Sequence, residues 1–182
     1  MKNLFLPVAL LSLMSMPLAQ ADLYMEMAFE GGGDDLIGTN RGEEISAGGG
    51  LKFAAGIQNS VNAEGTASIR LSLGYLFDDI DATNGSADFE TFTFDALYAV
   101  HSGAHTFGIG GTMHIEPEYK DNVSGFVPLN IQFDDAFGLV LQYGYHFAHG
   151  LEFGARLTSI DYETGNSSID AGSFGVYLSN GF

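Results

Sequence analysis

Beyond the first twenty residues, apolar side chains recur at every second position in eight stretches, the period of a strand with one apolar and one polar face. The first, 22–30, sets Leu23, Met25, Met27 and Phe29 against Tyr24, Glu26, Ala28 and Glu30. The second, 45–58, alternates Ile45, Ala47, Leu51, Phe53, Ala55 and Ile57 with Ser46, Gly48, Gly50, Lys52 and Gln58. Six more follow at 66–77, 89–100, 105–116, 136–147, 151–162 and 172–182. In the clearest, 136–147, Phe137, Leu139, Leu141, Tyr143, Tyr145 and Phe147 oppose Gly138, Val140, Gln142, Gly144 and His146. The chain is therefore predicted to be all-β.

Alternation of this kind also describes a soluble sandwich with its apolar faces turned inward. Two features turn the reading towards a membrane barrel. Each apolar face is free of charge through its core, whereas the opposite faces carry Gly, Ser, Thr and scattered charge, which suits a narrow polar interior. The connections also alternate: 31–44, 78–88, 117–135 and 163–171 are long and polar, while 59–65, 101–104 and 148–150 are short. Long loops outside and short periplasmic turns are the outer-membrane pattern, and a tilted strand spans a bilayer with roughly 9–11 residues. The expected fold is an eight-stranded antiparallel up-and-down transmembrane β-barrel over 22–182, with both termini on the side of the short turns.

Residues 1–21 read differently. Lys2 gives a positive start, Leu4 to Met16 is an apolar run, and Leu18-Ala19-Gln20-Ala21 offers a small-residue cleavage site. That is the form of a secretory signal peptide, cleaved after Ala21, and it directs the single remaining domain out of the cytoplasm. With no cysteine, neither disulfides nor thiolate metal sites are available. Only six Lys and Arg stand against 23 acidic residues, for a net charge of −17. A nucleic-acid partner needs a basic face, so that class is excluded.

Candidate chemistry falls on the inward face and in the long loops. Glu26, Glu30, Lys52, Arg70, Asp95, His114, Glu116, Gln142, His146, Glu152 and Arg156 all take inward positions. Charges in a narrow lumen are costly unless paired, so three cations among more carboxylates are expected to form a hydrogen-bonded network. The alternative is a narrow path for small solutes, which inward glycines such as Gly144 and Gly154 would favour unless large neighbours such as Tyr177 fill the space. An eight-stranded interior is ordinarily filled by side chains.

Most of the acid lies in the long loops, in clusters such as Asp34-Asp35, Glu43-Glu44 and Asp78-Asp79-Asp81. A solvated surface accounts for it; weak binding of divalent cations, bridging to lipopolysaccharide phosphates, is the sharper reading. Asp79, Asp81, Thr83, Gly85 and Glu90 follow the spacing of a Ca²⁺ loop, with Asn84 at the sharp-turn position, and no other cofactor is expected. His101, His105 and His149 sit at short turns, where a transition-metal site is conceivable. No histidine falls in a long loop, so a nucleophile there would lack its usual base and no enzymatic activity is expected.

The C-terminal third carries Tyr143-Gly144-Tyr145-His146-Phe147, a tight turn at His149-Gly150, Gly154-Ala155-Arg156 leading to Asp161-Tyr162, and a terminal Phe182. In these residues the chain resembles the OmpX/OmpW-type superfamily of small outer-membrane β-barrels of Gram-negative bacteria. The resemblance implies a monomeric outer-membrane protein with lipid and lipopolysaccharide as surroundings. It also implies that Phe174, Val176, Leu178 and Phe182 are read by the barrel-insertion machinery, with Asn180 departing from the pattern. The resemblance implies no particular activity; on the inward charges a structural or surface-interaction role is expected, ahead of a narrow channel for small solutes or apolar molecules.

Overall fold

The computed structural model describes residues 21–182 apart from 39–43, 83–84, 126, 148–149 and 166. The predicted signal peptide, Glu43, Thr83, Asn84 and His149 therefore lie outside the described residues, Ala21 excepted. Eight long strands form the wall: β1 (Asp22–Gly31), β4 (Gly50–Ser60), β5 (Ala67–Ala82), β6 (Gly85–Ser102), β7 (His105–Val123), β9 (Ala136–His146), β10 (Leu151–Ser159) and β13 (Ser173–Gly181). Short strands β2 (Asp35–Gly38), β3 (Glu44–Ser46), β8 (Leu129–Gln132), β11 (Asp161–Thr164) and β12 (Ser167–Asp170) lie between them.

Each wall strand pairs antiparallel with its neighbours in the order β1, β4, β5, β6, β7, β9, β10, β13, and β13 pairs back onto β1. The ring is closed, so the wall has no free edge. Closure also decides against the sandwich. Leu23, Phe29, Leu73 and Phe137 are 63–69% exposed on the outside, while Lys52, Arg156, Glu152 and Tyr177 are at most 2% exposed inside. That inverts the soluble arrangement and suits a lipid-facing wall.

β5, β6 and β7 extend past the predicted segments at the end opposite the chain termini, whereas β10 stops at Ser159, short of the predicted 162. At 18 residues β6 is about 60 Å long, roughly twice what a membrane requires. Much of the expected loop 78–88 is thus paired strand: Asp79 faces Asp88 and Ala82 faces Gly85. Within 117–135, Glu118–Asp121 pairs with β8, and 163–171 contains most of the β11–β12 hairpin.

Two further predictions are corrected. Stretch 45–58 is not one strand, because a turn at 47–49 and a left-handed Gly50 (φ 131°) separate β3 from β4. Ile45 and Ala47 consequently leave the outer wall and are fully buried. Glu116 does not point inward. Between the pairs Glu90–Glu118 and Phe92–Ile115, β7 holds two residues against one on β6; this bulge places Glu116 at φ 50° and reverses the parity beyond it. Its side chain is exposed, and its backbone N–H donates to Asp135 Oδ1 at 2.9 Å.

Candidate functional site: a filled lumen beneath an apolar cap

Alternation along the wall sends one charged or polar side chain inward from strand after strand, and in so narrow a ring they meet. Lys52 Nζ donates to Asp95 Oδ2 at 2.6 Å, and Arg156 Nη2 donates to Asp95 Oδ1 at 3.0 Å. The Arg156 guanidinium also lies 3.5 Å from Glu30 and 3.8 Å from Glu26. Ser173 donates to Glu30 at 2.6 Å, and Gln142 donates to Glu26 at 3.0 Å. One cluster therefore links β1, β4, β6, β9, β10 and β13.

A second cluster sits nearer the short turns. Arg70 meets Glu152 through two parallel bonds of 2.9 and 3.0 Å, the fork geometry that fits guanidinium to carboxylate, and Arg70 Nε donates to Gln58 at 2.7 Å. Tyr177 donates its hydroxyl hydrogen to Glu152 at 2.7 Å, and His146 Nε2 lies 2.7 Å from the other Glu152 oxygen. Gly144 and Gly154 do not leave the lumen open. A methyl group at Gly154 would lie 2.6 Å from the Tyr177 ring, and one at Gly144 would lie 2.6 Å from the Glu152 carboxyl carbon. The glycines are the recess into which Tyr177 and Glu152 pack.

Towards the long-hairpin end the lumen changes character. His114 Nδ1 and the Tyr162 hydroxyl are 2.6 Å apart, and Tyr162 then stacks on Phe89 and packs tilted against Phe133, with ring centres 5.9 and 5.5 Å away. Ile45, Ala47, Leu76, Ala87, Tyr119, Ile160 and Ala171 complete a buried apolar cluster, with Leu36, Ile37, Ile80, Ile131 and Ile169 against it. This cap was missed at the level of sequence because its members lie in stretches dominated by acid. The available signal was alternation continuing through Leu76, Ile80, Ala87, Phe89, Tyr119, Ile131 and Phe133.

The remaining candidates are dispersed. Asp79 and Asp81 lie on the outer face of β5; Glu90 lies across on β6, where it accepts a hydrogen bond from Tyr75 and an ion pair from Lys120 at 2.9 Å. A ladder replaces the wrapping loop that a Ca²⁺ site of that spacing needs. Among the described residues no group of three His, Asp or Glu is placed to hold a metal ion. His101 turns inward to Ser68 (2.9 Å) and Thr106 (3.1 Å), whereas His105 faces outward against Tyr143 and Tyr145, so these two do not converge. Phe174, Val176 and Leu178 form one outward column on β13, and the Phe182 N–H donates to the Leu23 carbonyl at 2.8 Å.

Solved structures share this architecture. Ail, the attachment invasion locus protein of Yersinia pestis, crystallised with the heparin analogue sucrose octasulfate, aligns over 89% of this chain and 97% of its own, with a TM-score of 0.56 and 8% identity. Neisserial surface protein A aligns over the same fractions, with a TM-score of 0.56 and 9% identity. This is the fold of the small outer-membrane β-barrels. No protein-family model and no curated relative matches the sequence. Within that fold, ion pairs fill this chain's lumen and an apolar cap lies above them. Its exterior is acidic: of the four described cations, Lys52, Arg70 and Arg156 are buried, and Lys120 is paired with Glu90 and Glu118.

Proposed function

We propose that the chain is an integral outer-membrane β-barrel whose interior is a structural core, serving as a scaffold for the acidic hairpins it presents at the cell surface. The observation that carries this reading is the buried cluster around Lys52, Asp95 and Arg156, which with Glu26, Glu30, Gln142 and Ser173 interlocks six strands. A solute path would have to break these pairs, and separating a buried pair costs about 3–5 kcal/mol. The short turns and both termini face the periplasm, and the long hairpins face outward. Surrounding lipid and lipopolysaccharide, the insertion machinery acting on the β13 column and Phe182, and a monomeric state complete the proposal; catalysis is not part of it.

Attachment named for Ail makes a surface-interaction role the natural reading here as well, with a different partner chemistry. An acidic exterior repels polyanions of the kind bound to Ail and favours cationic ones. Planar-bilayer recording of the refolded barrel tests the closed interior. A silent bilayer is expected; stable unitary currents altered by Arg156→Ala would replace the scaffold with a channel.

A further inference from the structure

At the short-turn end a line of inward side chains crosses five neighbouring wall strands. Ser68 Oγ on β5 lies 2.9 Å from His101 Nε2 on β6, and His101 Nδ1 lies 3.1 Å from the Thr106 hydroxyl on β7. That hydroxyl lies 2.7 Å from His146 Nε2 on β9, which is also 2.7 Å from a Glu152 oxygen on β10. Backbone bonds close the same end: the His101 N–H donates to the Thr66 carbonyl at 2.8 Å, and the His146 N–H to the Ala104 carbonyl at 2.7 Å. Ser68, Thr106 and Glu152 are buried, and the two rings are half-buried at the mouth.

We infer that His101 is a pH-sensitive latch: while its ring is neutral the line holds the short-turn mouth closed, and a proton on the ring releases that mouth without disturbing the rest of the wall. A neutral imidazole has one donor and one acceptor nitrogen, so His101 can accept from one of the Thr106 and Ser68 hydroxyls while donating to the other. Protonation removes the acceptor and leaves one of those hydroxyl hydrogens without its partner. It also adds a charge that nothing balances. The charges acting on His101 are Arg70, His146 and Glu152. Glu152 already accepts both arms of Arg70, the Tyr177 hydroxyl and the His146 contact, and the remaining neighbours of Arg70, Gln58 and the Tyr24 ring, bring no charge. A proton on His146 is matched by Glu152 beside it; one on His101 gathers a further cation around the same carboxylate.

The test is amide hydrogen exchange of the refolded barrel in micelles, read by NMR at about pH 7.5 and about pH 5.5 and corrected for the intrinsic exchange rate. A free imidazole takes its proton near pH 6.5, so opening should be favoured about tenfold more at the lower pH. Protection of the His101 and His146 amides should fall by that factor, while the Leu141 amide, further along the same wall, should not change. His101→Gln, or His101→Asn where the first variant does not fold, should make the two pH values equal whatever the starting protection. His105→Gln, an outward histidine on the same rim, should keep the response. No response in the wild type, a response surviving the His101 variant, its loss in His105→Gln, or an equal fall at Leu141 overturns the latch.

Discussion

Glu152 shows how much one residue carries in this interior. It accepts both arms of Arg70 and the Tyr177 hydroxyl and lies beside His146, while Gly154 makes room for the ring that brings that hydroxyl into place. Tyr177→Phe should cost about 1.5–3 kcal/mol, the scale of a hydrogen bond to a charged group, read from urea unfolding in micelles. Gly154→Ala should cost about 1–3 kcal/mol by overpacking, since its methyl would meet both the Tyr177 ring and the Tyr143 carbonyl oxygen. A neutral result for both would mean that the lumen is looser than its contacts imply. On the exposed hairpin the effects are smaller. Lys120, followed by Asn130, holds the Glu118 carboxyl below the usual glutamate range. A depressed folded value stabilises above the unfolded pKa of about 4.3, and that contribution disappears as pH falls through the folded value. Solvent screening keeps it under about 1 kcal/mol. Glu118→Gln should therefore flatten the unfolding-midpoint profile only below about pH 4.5.

The β11–β12 hairpin is the element that ties cap to lumen, since Tyr162 reaches His114 with its hydroxyl and Phe89 and Phe133 with its ring. Phe89→Ala removes the largest partner of that ring on β6, and a buried Phe→Ala change costs about 3–5 kcal/mol. The loss is expected to fall on the cap alone. Limited proteolysis should cut the hairpins of the variant faster while the wall survives, whereas uniform sensitivity of hairpins and wall would show that the cap and barrel unfold as one unit. Elements also mark where sequence patterning succeeds. The wall was legible because one face of every strand meets lipid, so alternation runs unbroken through 136–147 and 89–100. It failed at Glu116, where a one-residue bulge reverses the parity, and at Ile45 and Ala47, where a glycine turn redirects the chain. Inward positions could be read from parity, but the partners could not. Arg70 and Glu152 are 82 residues apart and meet only because β5 and β10 face one another across the lumen. The cap stayed hidden because its apolar residues are interleaved with acid that faces the opposite way.

For the whole molecule, closure makes the wall and its contents one cooperative body. Each of the eight strands is paired on both sides, so no wall strand can leave without breaking two ladders. Such a barrel should migrate differently in detergent gels before and after heating, converting over a narrow temperature range. What sets that temperature separates the interior from the surface. Arg70 and Lys120 both pair with carboxylates, but Arg70 is 4% exposed and Lys120 is 41% exposed. Removing the buried partner leaves Glu152 charged, enclosed and supported only by Tyr177 and His146, at a cost of about 3–5 kcal/mol. Removing the exposed one lets Glu90 and Glu118 return to water, at a cost below about 1 kcal/mol. Arg70→Ala should consequently lower the conversion temperature severalfold more than Lys120→Ala, and added salt should narrow the gap little because the buried pair is poorly screened. Equal shifts in the two variants would mean that water reaches the lumen pairs as freely as the surface ones. The interior would then have to be treated as a wet passage, and the conductance measurement would be expected to find current.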